Sequence, residues 1–487
     1  MKRMLCALVA ALALAASALA QVETTPPPPA APRPVRVPRA IEQTLPNGLR
    51  VIVISKHNVP IITARLLIRT GGASDPGERA GLADMTASLL TKGTTTHSAR
   101  QIAEGVESLG ATIDGGAGWD DSFVATSAMS SKLPEALAYV AEVVRHPAFT
   151  TKELKRLRTQ DLDALQVDLH EPRALRNMVT ARVVFDHTPY GHRLGGTPQS
   201  LQRITREEVV EFHRRYYHPG NGILVFGGDI EPQAAFELAK KQFGGWSNGG
   251  KKTFPLPPVA TIQPKGRVVV IDMPEAGQAA VTVARFGIQR SDRQYAASEV
   301  ANMVLGGGYS SRLNEEIRIK RGLSYGAGSY FDARRDVGPF AASALTKNES
   351  AVEVAGLLLD ELARVTSERV PDPEMTARKA NLIGTFSRSL ETNAELVGRV
   401  GELALYGLPL DEVGRYTGAI EHVTVEEVRS FATDHFAGGL NVVIVGSAKA
   451  FGDALKKRFP DAQVIPADQL DLDGSTLRRA QPRRALR

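Results

Sequence analysis

The alternation of apolar and polar positions divides this chain into two copies of one order of elements. "GLRVIVISK" and "IITARLLIRTG" are β-rich runs separated by a turn around Asn58-Val59-Pro60. "RVVVIDMP" and "AAVTVARFGI" repeat the device later in the chain. Each pair is followed by sequence with apolar residues at helical spacing, as in "SKLPEALAYVAEVVRH" and "SAVEVAGLLLDELARVTSE". Paired hairpins followed by runs of helices predict α+β domains, each with an antiparallel-rich sheet covered by helices on one face.

The ends of the two copies echo each other most clearly. "ITREEVVEFHRRYYHPGNGILVFGGDI" and "VTVEEVRSFATDHFAGGLNVVIVGSAKA" both run from Thr through a glutamate at capping-box spacing, an amphipathic helix and a Gly-containing turn to an apolar β-run ending in glycine. Thr205 with Glu208, and Thr424 with Glu427, have the spacing in which a hydroxyl and a carboxylate satisfy the first free N–H groups of a helix. The separation of the echoes is that of a whole domain, so the reading is two homologous domains and not a solenoid. They are expected at 41–246 and 267–470, joined by a linker at 247–266. A signal peptide at 1–20, a Pro-rich tether at 21–40 and a basic, unstructured tail at 471–487 complete the chain.

The leader has "MKRM" for positive charge, an apolar run, and Ala18-Leu19-Ala20 as a small-residue cleavage pattern, which predicts a periplasmic or secreted protein. Its apolar run is shorter than the ~20 residues of a membrane span, and no other stretch qualifies. Cys6, the only cysteine, lies inside this leader, so disulfides, thiolate catalysis and Cys-ligated zinc are excluded together in the mature chain. A formal net charge of +6 over 487 residues is too dilute to argue for nucleic acid.

Spacing alone nominates no catalytic site. His187 with His192, and His213 with His218, have the wrong offset for two ligands on one helix face and read as scattered surface or capping residues. "LGGGYSSRL" lacks the Lys-Ser/Thr of a phosphate loop and reads as a glycine hinge between helices. Asp120 and Asp121, taken as neighbours on a strand, would point to opposite faces and share neither a proton nor a metal. No nucleophile elbow accompanies the serines of "GGYSSR".

The order of larger motifs says more. "LPNGLRVIV", the stretch from Arg79 to Thr94 with "GLA" and "KGT", "YGHRLGGTPQSLQRIT", "YYHPGNGILVFGGDI" and "LGGGYSSRLNEEIRIKRGLSYG" follow one another along nearly all of the expected mature chain. In this it resembles the insulinase family of zinc metallopeptidases, of the pitrilysin and mitochondrial processing peptidase type. The resemblance implies an α+β fold of two homologous domains arranged as half of a clam-shell chamber. Active relatives carry H-x-x-E-H in the helix matching "GLADMTASLLTKGT". Aligned on the flanks, the first histidine falls on Asp84, the glutamate on Ala87 and the second histidine on Ser88. The third ligand of relatives, counted back from Pro172, falls on Ala164. All four positions have lost the chemistry, since a catalytic zinc takes about three protein ligands. "KRGLSYG" does match, with Arg321 and Tyr325 at the family's Arg-x-x-x-Tyr spacing. In relatives this pair contacts the substrate backbone and stabilises the reacting carbonyl. The alternative for these two is an arginine in a surface ion pair and a tyrosine in the core.

The resemblance therefore implies a non-catalytic subunit that holds no cofactor and is inactive alone. A catalytic insulinase-type partner carrying H-x-x-E-H would supply zinc and base in a heterodimeric metalloendopeptidase acting on peptide substrates. A non-enzymatic peptide-binding or assembly protein of the same fold is the alternative, and hydrolysis through an unrecognised site finds no supporting cluster.

Overall fold

The computed structural model describes residues 37–247 and 266–479. The signal peptide, most of the tether, all but the two end residues of the linker and the last residues of the basic tail lie outside the described residues. The first sheet comprises β1 (Ile41–Thr44), β2 (Arg50–Ser55), β3 (Ile61–Ile68), β4 (Thr112–Ala117), β5 (Ser122–Met129) and β6 (Gly222–Gly228), in spatial order β1-β2-β6-β3-β5-β4. The second comprises β7 (Val268–Asp272), β8 (Ala279–Phe286), β9 (Ala327–Phe331), β10 (Pro339–Thr346), β11 (Asn441–Gly446) and β12 (Gln463–Pro466), in order β12-β7-β11-β8-β10-β9. Apart from the outermost strands β1 and β12, the two orders are the same. Both capping boxes form, at the starts of the helices Arg206–Tyr216 and Val425–Phe436 that lead into β6 and β11.

Several expectations are corrected here. The early β-runs are not hairpins, because β6 lies between β2 and β3, parallel to the first and antiparallel to the second. In the same way β11 lies between β7 and β8. The reason is in the inserted strands, "GILVFGG" and "NVVIVG", which are buried at every position and have no polar face to give an edge or a solvated surface.

Nor is each sheet covered on one face only. On β2 and β6, Val51, Val53, Leu224 and Phe226 face the helices of their own half, while Ile52, Ile54, Ile223 and Val225 face the opposite way. The opposite face is covered by the helix Asn393–Leu405 from the second half, through Leu396, Val397, Val400 and Leu403. The exchange is reciprocal. The helix Pro172–Phe185 of the first half lays Leu175, Val179 and Val183 on the outer face of the second sheet, beside Val443, Val445 and Val269. Close approach is built in at Gly227, where an added Cβ would lie 2.5 Å from Val397 Cγ2. Both halves consequently belong to one compact unit. The start of the expected tail is also ordered: Leu472 and Leu477 are buried in the first half's core, and Arg182 Nε donates to the Leu472 carbonyl at 3.1 Å. Apolar residues within a basic stretch account for that departure.

One cluster of polar contacts between the halves gathers on Asp120, which sits in the β4–β5 loop and not on a strand. It is 4% exposed and accepts from the Tyr190 hydroxyl at 2.8 Å, the Arg335 backbone N–H at 3.0 Å and the Tyr406 hydroxyl at 3.3 Å. Burial, and then the Asp120 charge, push both phenols upward, so they stay protonated donors. The neighbouring Asp121 faces Arg65 at 3.6 Å instead. Arg334, from the second half, lies over the rings of Trp119 and Tyr190, 4.6 Å from each.

Asp120→Ala leaves three donors at this junction without their acceptor and should cost about 3 kcal/mol or more. Calorimetry should show a lowered melting temperature, with Asp120→Asn losing less; an unchanged transition in Asp120→Ala would remove this junction from the account.

Candidate functional site

The degenerate site begins with the helix Leu82–Leu89. Its start is held by Asp75, whose carboxylate accepts from the backbone N–H groups of Gly81 and Ala83, each at 2.8 Å. Gly81 has φ of 92°, and a Cβ there would come within 2.9 Å of Gly196, so the helix start and the "LGGT" turn are pressed together. Leu82, Met85 and Leu89 enter the core, and Ala87 is fully buried. Asp84 and Ser88 are partly exposed on the remaining face.

Ala164 lies on the neighbouring helix Thr151–Leu169 and is exposed. The group that approaches Asp84 from that helix is Asp161, one turn earlier. Burial, with the Asp84 charge beside it, raises Asp161 to about 6, and Arg193 pulls the other way. Burial also raises Asp84, opposed by the Ala117 backbone N–H and Arg193. Arg193 in turn pairs with Asp168 at 3.0 Å. The positions that the resemblance aligns with zinc ligands, Asp84, Ser88 and Ala164, therefore contain a carboxylate, a hydroxyl and a methyl group, with the methyl of Ala87 at the position aligned with the base and a guanidinium alongside. No imidazole is among them, and the described residues contain no group of three or more His, Cys, Asp or Glu placed to hold a metal. This set does not fit zinc. Asp161 and Arg193 were not singled out from sequence; the run of aspartates in "RTQDLDALQVDLHEP" was the available signal.

Arg321 and Tyr325 lie in the segment between a π-helical turn, Asn314–Lys320, and β9. Their environments differ. Arg321 Nη2 pairs with Glu316 at 2.8 Å, as the surface ion-pair alternative expected. Tyr325 is 93% exposed, against the core alternative, and forms no hydrogen bond with a described residue. Tyr309 and Ile319, in the preceding segment, are exposed as well. The Gly306–Gly308 stretch does join two helical segments, and Gly306 touches the β9 backbone so closely that a Cβ would lie 2.4 Å from Ser329 N.

The paired histidines are not surface residues throughout. His192 and His218 are buried, and His192 has carbonyls of Arg193 and Gly72 at 3.0 Å from its two nitrogens. His213 is near the Val144 carbonyl at 2.8 Å, and burial lowers it to about 4. Their role is in packing between segments.

A family profile described as "Insulinase (Peptidase family M16)" matches residues 50–197, and one described as "Peptidase M16 inactive domain" matches residues 203–382. An uncharacterized zinc protease of Mycobacterium tuberculosis is 28% identical over 86% of this chain and 95% of its own length. A corresponding protein of Bacillus subtilis is 22% identical over 81% and 95%. Among solved structures, a peptidase M16 inactive domain from Pseudomonas fluorescens superposes with a TM-score of 0.79 at 28% identity, covering 84% of this chain and 98% of that one. A protease from Helicobacter pylori has the same fold, with a TM-score of 0.80 at 20% identity, over 84% and 100%.

The sign of the pH dependence at Asp161 follows from its raised value. A carboxylic acid that titrates higher in the folded chain than in the unfolded one favours folding fully below the unfolded value near 4, and that contribution is lost as pH rises through about 6. Asp161→Asn should therefore raise the melting temperature at pH 7 and leave it nearly unchanged at pH 4. Equal effects at both pH values would contradict the assignment.

Proposed function

Since the chain belongs to the insulinase family, we propose that it is the non-catalytic subunit of an exported, two-chain metalloendopeptidase. The observation that carries this reading is a contrast within one molecule. The helix matching the family's zinc helix keeps its packing residues and lacks its ligands and base, while Tyr325 of the matching Arg-x-x-x-Tyr pair stands exposed beside Arg321. An exposed phenol with no hydrogen bond to the rest of the described chain is available to a second chain and its substrate.

In this reading a partner with H-x-x-E-H supplies the metal and the base, and this chain closes the chamber around an unfolded peptide. The Tyr325 hydroxyl and the Arg321 guanidinium are donors that can meet a carbonyl oxygen as negative charge builds on it. Arg321 would exchange part of its contact with Glu316 for the substrate, and because the arginine is 44% exposed and Glu316 keeps Lys320 at 3.2 Å, that exchange costs little. The leader Met1–Ala20 would carry the chain out of the cytoplasm. The ion pair at Arg321 also supports a second reading, in which the chain only binds or assembles.

Kinetics of the reconstituted pair separate the two. Arg321→Ala and Tyr325→Phe should leave folding and association intact and lower kcat by ~100- to 1000-fold, with kcat falling more than KM rises. Unchanged turnover in both variants, or loss confined to melting temperature and assembly, would favour the binding reading.

A further inference from the structure

A cavity of about 330 Å³ lies between the helix Pro172–Phe185 and the outer face of the second sheet. Three arginines line it, and two have carboxylate partners: Arg193 with Asp168, and Arg334 with Asp332. The third, Arg176, is 6% exposed and has none within 4 Å among the described residues. Its Nη2 donates to Asn177 Oδ1 at 2.7 Å, its Nη1 makes a long contact of 3.4 Å with the Val281 carbonyl, and its buried Nε has no partner. Burial pulls this guanidinium down to about 10, which leaves it charged at neutral pH. Glu171 acts on it only through space, with one oxygen accepting from the Ala174 N–H at the helix start. His192, also on the wall, is lowered by burial and adds no charge.

The wall thus carries one cation in excess. A buried guanidinium without a counter-charge is costly, and its planar fork matches a carboxylate or a phosphate; the apolar side chains beside it favour the carboxylate of an organic guest. The remaining lining suits an amphipathic guest: Trp119 and Phe185 are apolar, while Thr282 and Ser343 bring hydroxyls from the sheet. The volume is at the low end for ligand sites, enough for roughly one or two amino-acid residues and too small for a helix.

We infer that this cavity receives the C-terminal carboxylate of a peptide, held by Arg176, with the last side chain against Trp119 and Phe185. The peptide source rests on the proposed function; the carboxylate chemistry rests on the cavity alone.

The test uses the full mature chain without any partner, so it succeeds or fails independently of the two-chain reading. N-acetyl-Ala-Phe as the free acid should bind, read by calorimetry and by a change in Trp119 fluorescence, and the corresponding amide should bind at least ~10-fold more weakly. Arg176→Gln should abolish the difference between acid and amide, and Arg176→Lys, which keeps the charge and loses the fork, should reduce it. Equal binding of acid and amide by the wild type, or no binding of either, overturns the inference even if Arg176→Gln fails to fold. Sodium acetate binding as tightly as the peptide acid would assign the site to a free small carboxylate and overturn the peptide assignment.

Discussion

Everything in this molecule depends on two sheets whose central strands have no polar face. β6 and β11 are buried along their whole length, so each sheet must be covered on both sides. The helices within each half cover one side. The other is closed by a helix borrowed from the opposite half, Pro172–Phe185 on the second sheet and Asn393–Leu405 on the first. Neither exchange can be undone without exposing a row of Val, Ile and Leu on both partners, at about 1.5–3 kcal/mol for each side chain returned to water. The two halves are therefore one body, pinned by Asp120 where the helices and loops converge.

This constraint explains why the helix Leu82–Leu89 keeps its place whatever its partly exposed face carries. Leu82, Met85 and Leu89 are fixed by the core, and Gly81 by the turn at Gly196, whereas Asp84 and Ser88 lie on a face that the core does not specify. Side chains on that face are therefore free of the core's packing constraint, whereas Ala87 beside them is fully buried. What occupies the place instead is a local charge balance: Asp84 and Asp161 repel each other, and Arg193 offsets part of that repulsion. The same arginine marks one end of the cavity in which Arg176 lacks a counter-charge, so the degenerate site and the cavity share a wall.

Local patterns were legible in the sequence and long-range pairings were not. The capping boxes at Thr205 and Thr424 form as read, because Thr and Glu at that spacing meet within a single helical turn. The hairpins did not form, because pairing β2 with β6 spans most of a domain and no local signal records it. The uninterrupted apolar runs of β6 and β11 did contain the information that both faces are buried, and a covering on one face was too little for them. Asp120 was read as a strand residue when it belongs to a loop, and its function as an anchor lies in partners from the other half, Arg335 and Tyr406. For the site, the motif order nominated Asp84, Ala87, Ser88, Ala164, Arg321 and Tyr325. Asp161, Arg193 and Arg176 are defined by burial and by neighbours distant in the chain, so only the fold brings them out.

The most direct test of the central claim is the native mass and zinc content of the complex isolated from the protein's own source. The account predicts one copy of this chain with one insulinase-type partner bearing H-x-x-E-H, one zinc per complex, and none retained by this chain after separation. This chain alone, or assembled only with copies of itself, and holding one tightly bound zinc per copy, would contradict it.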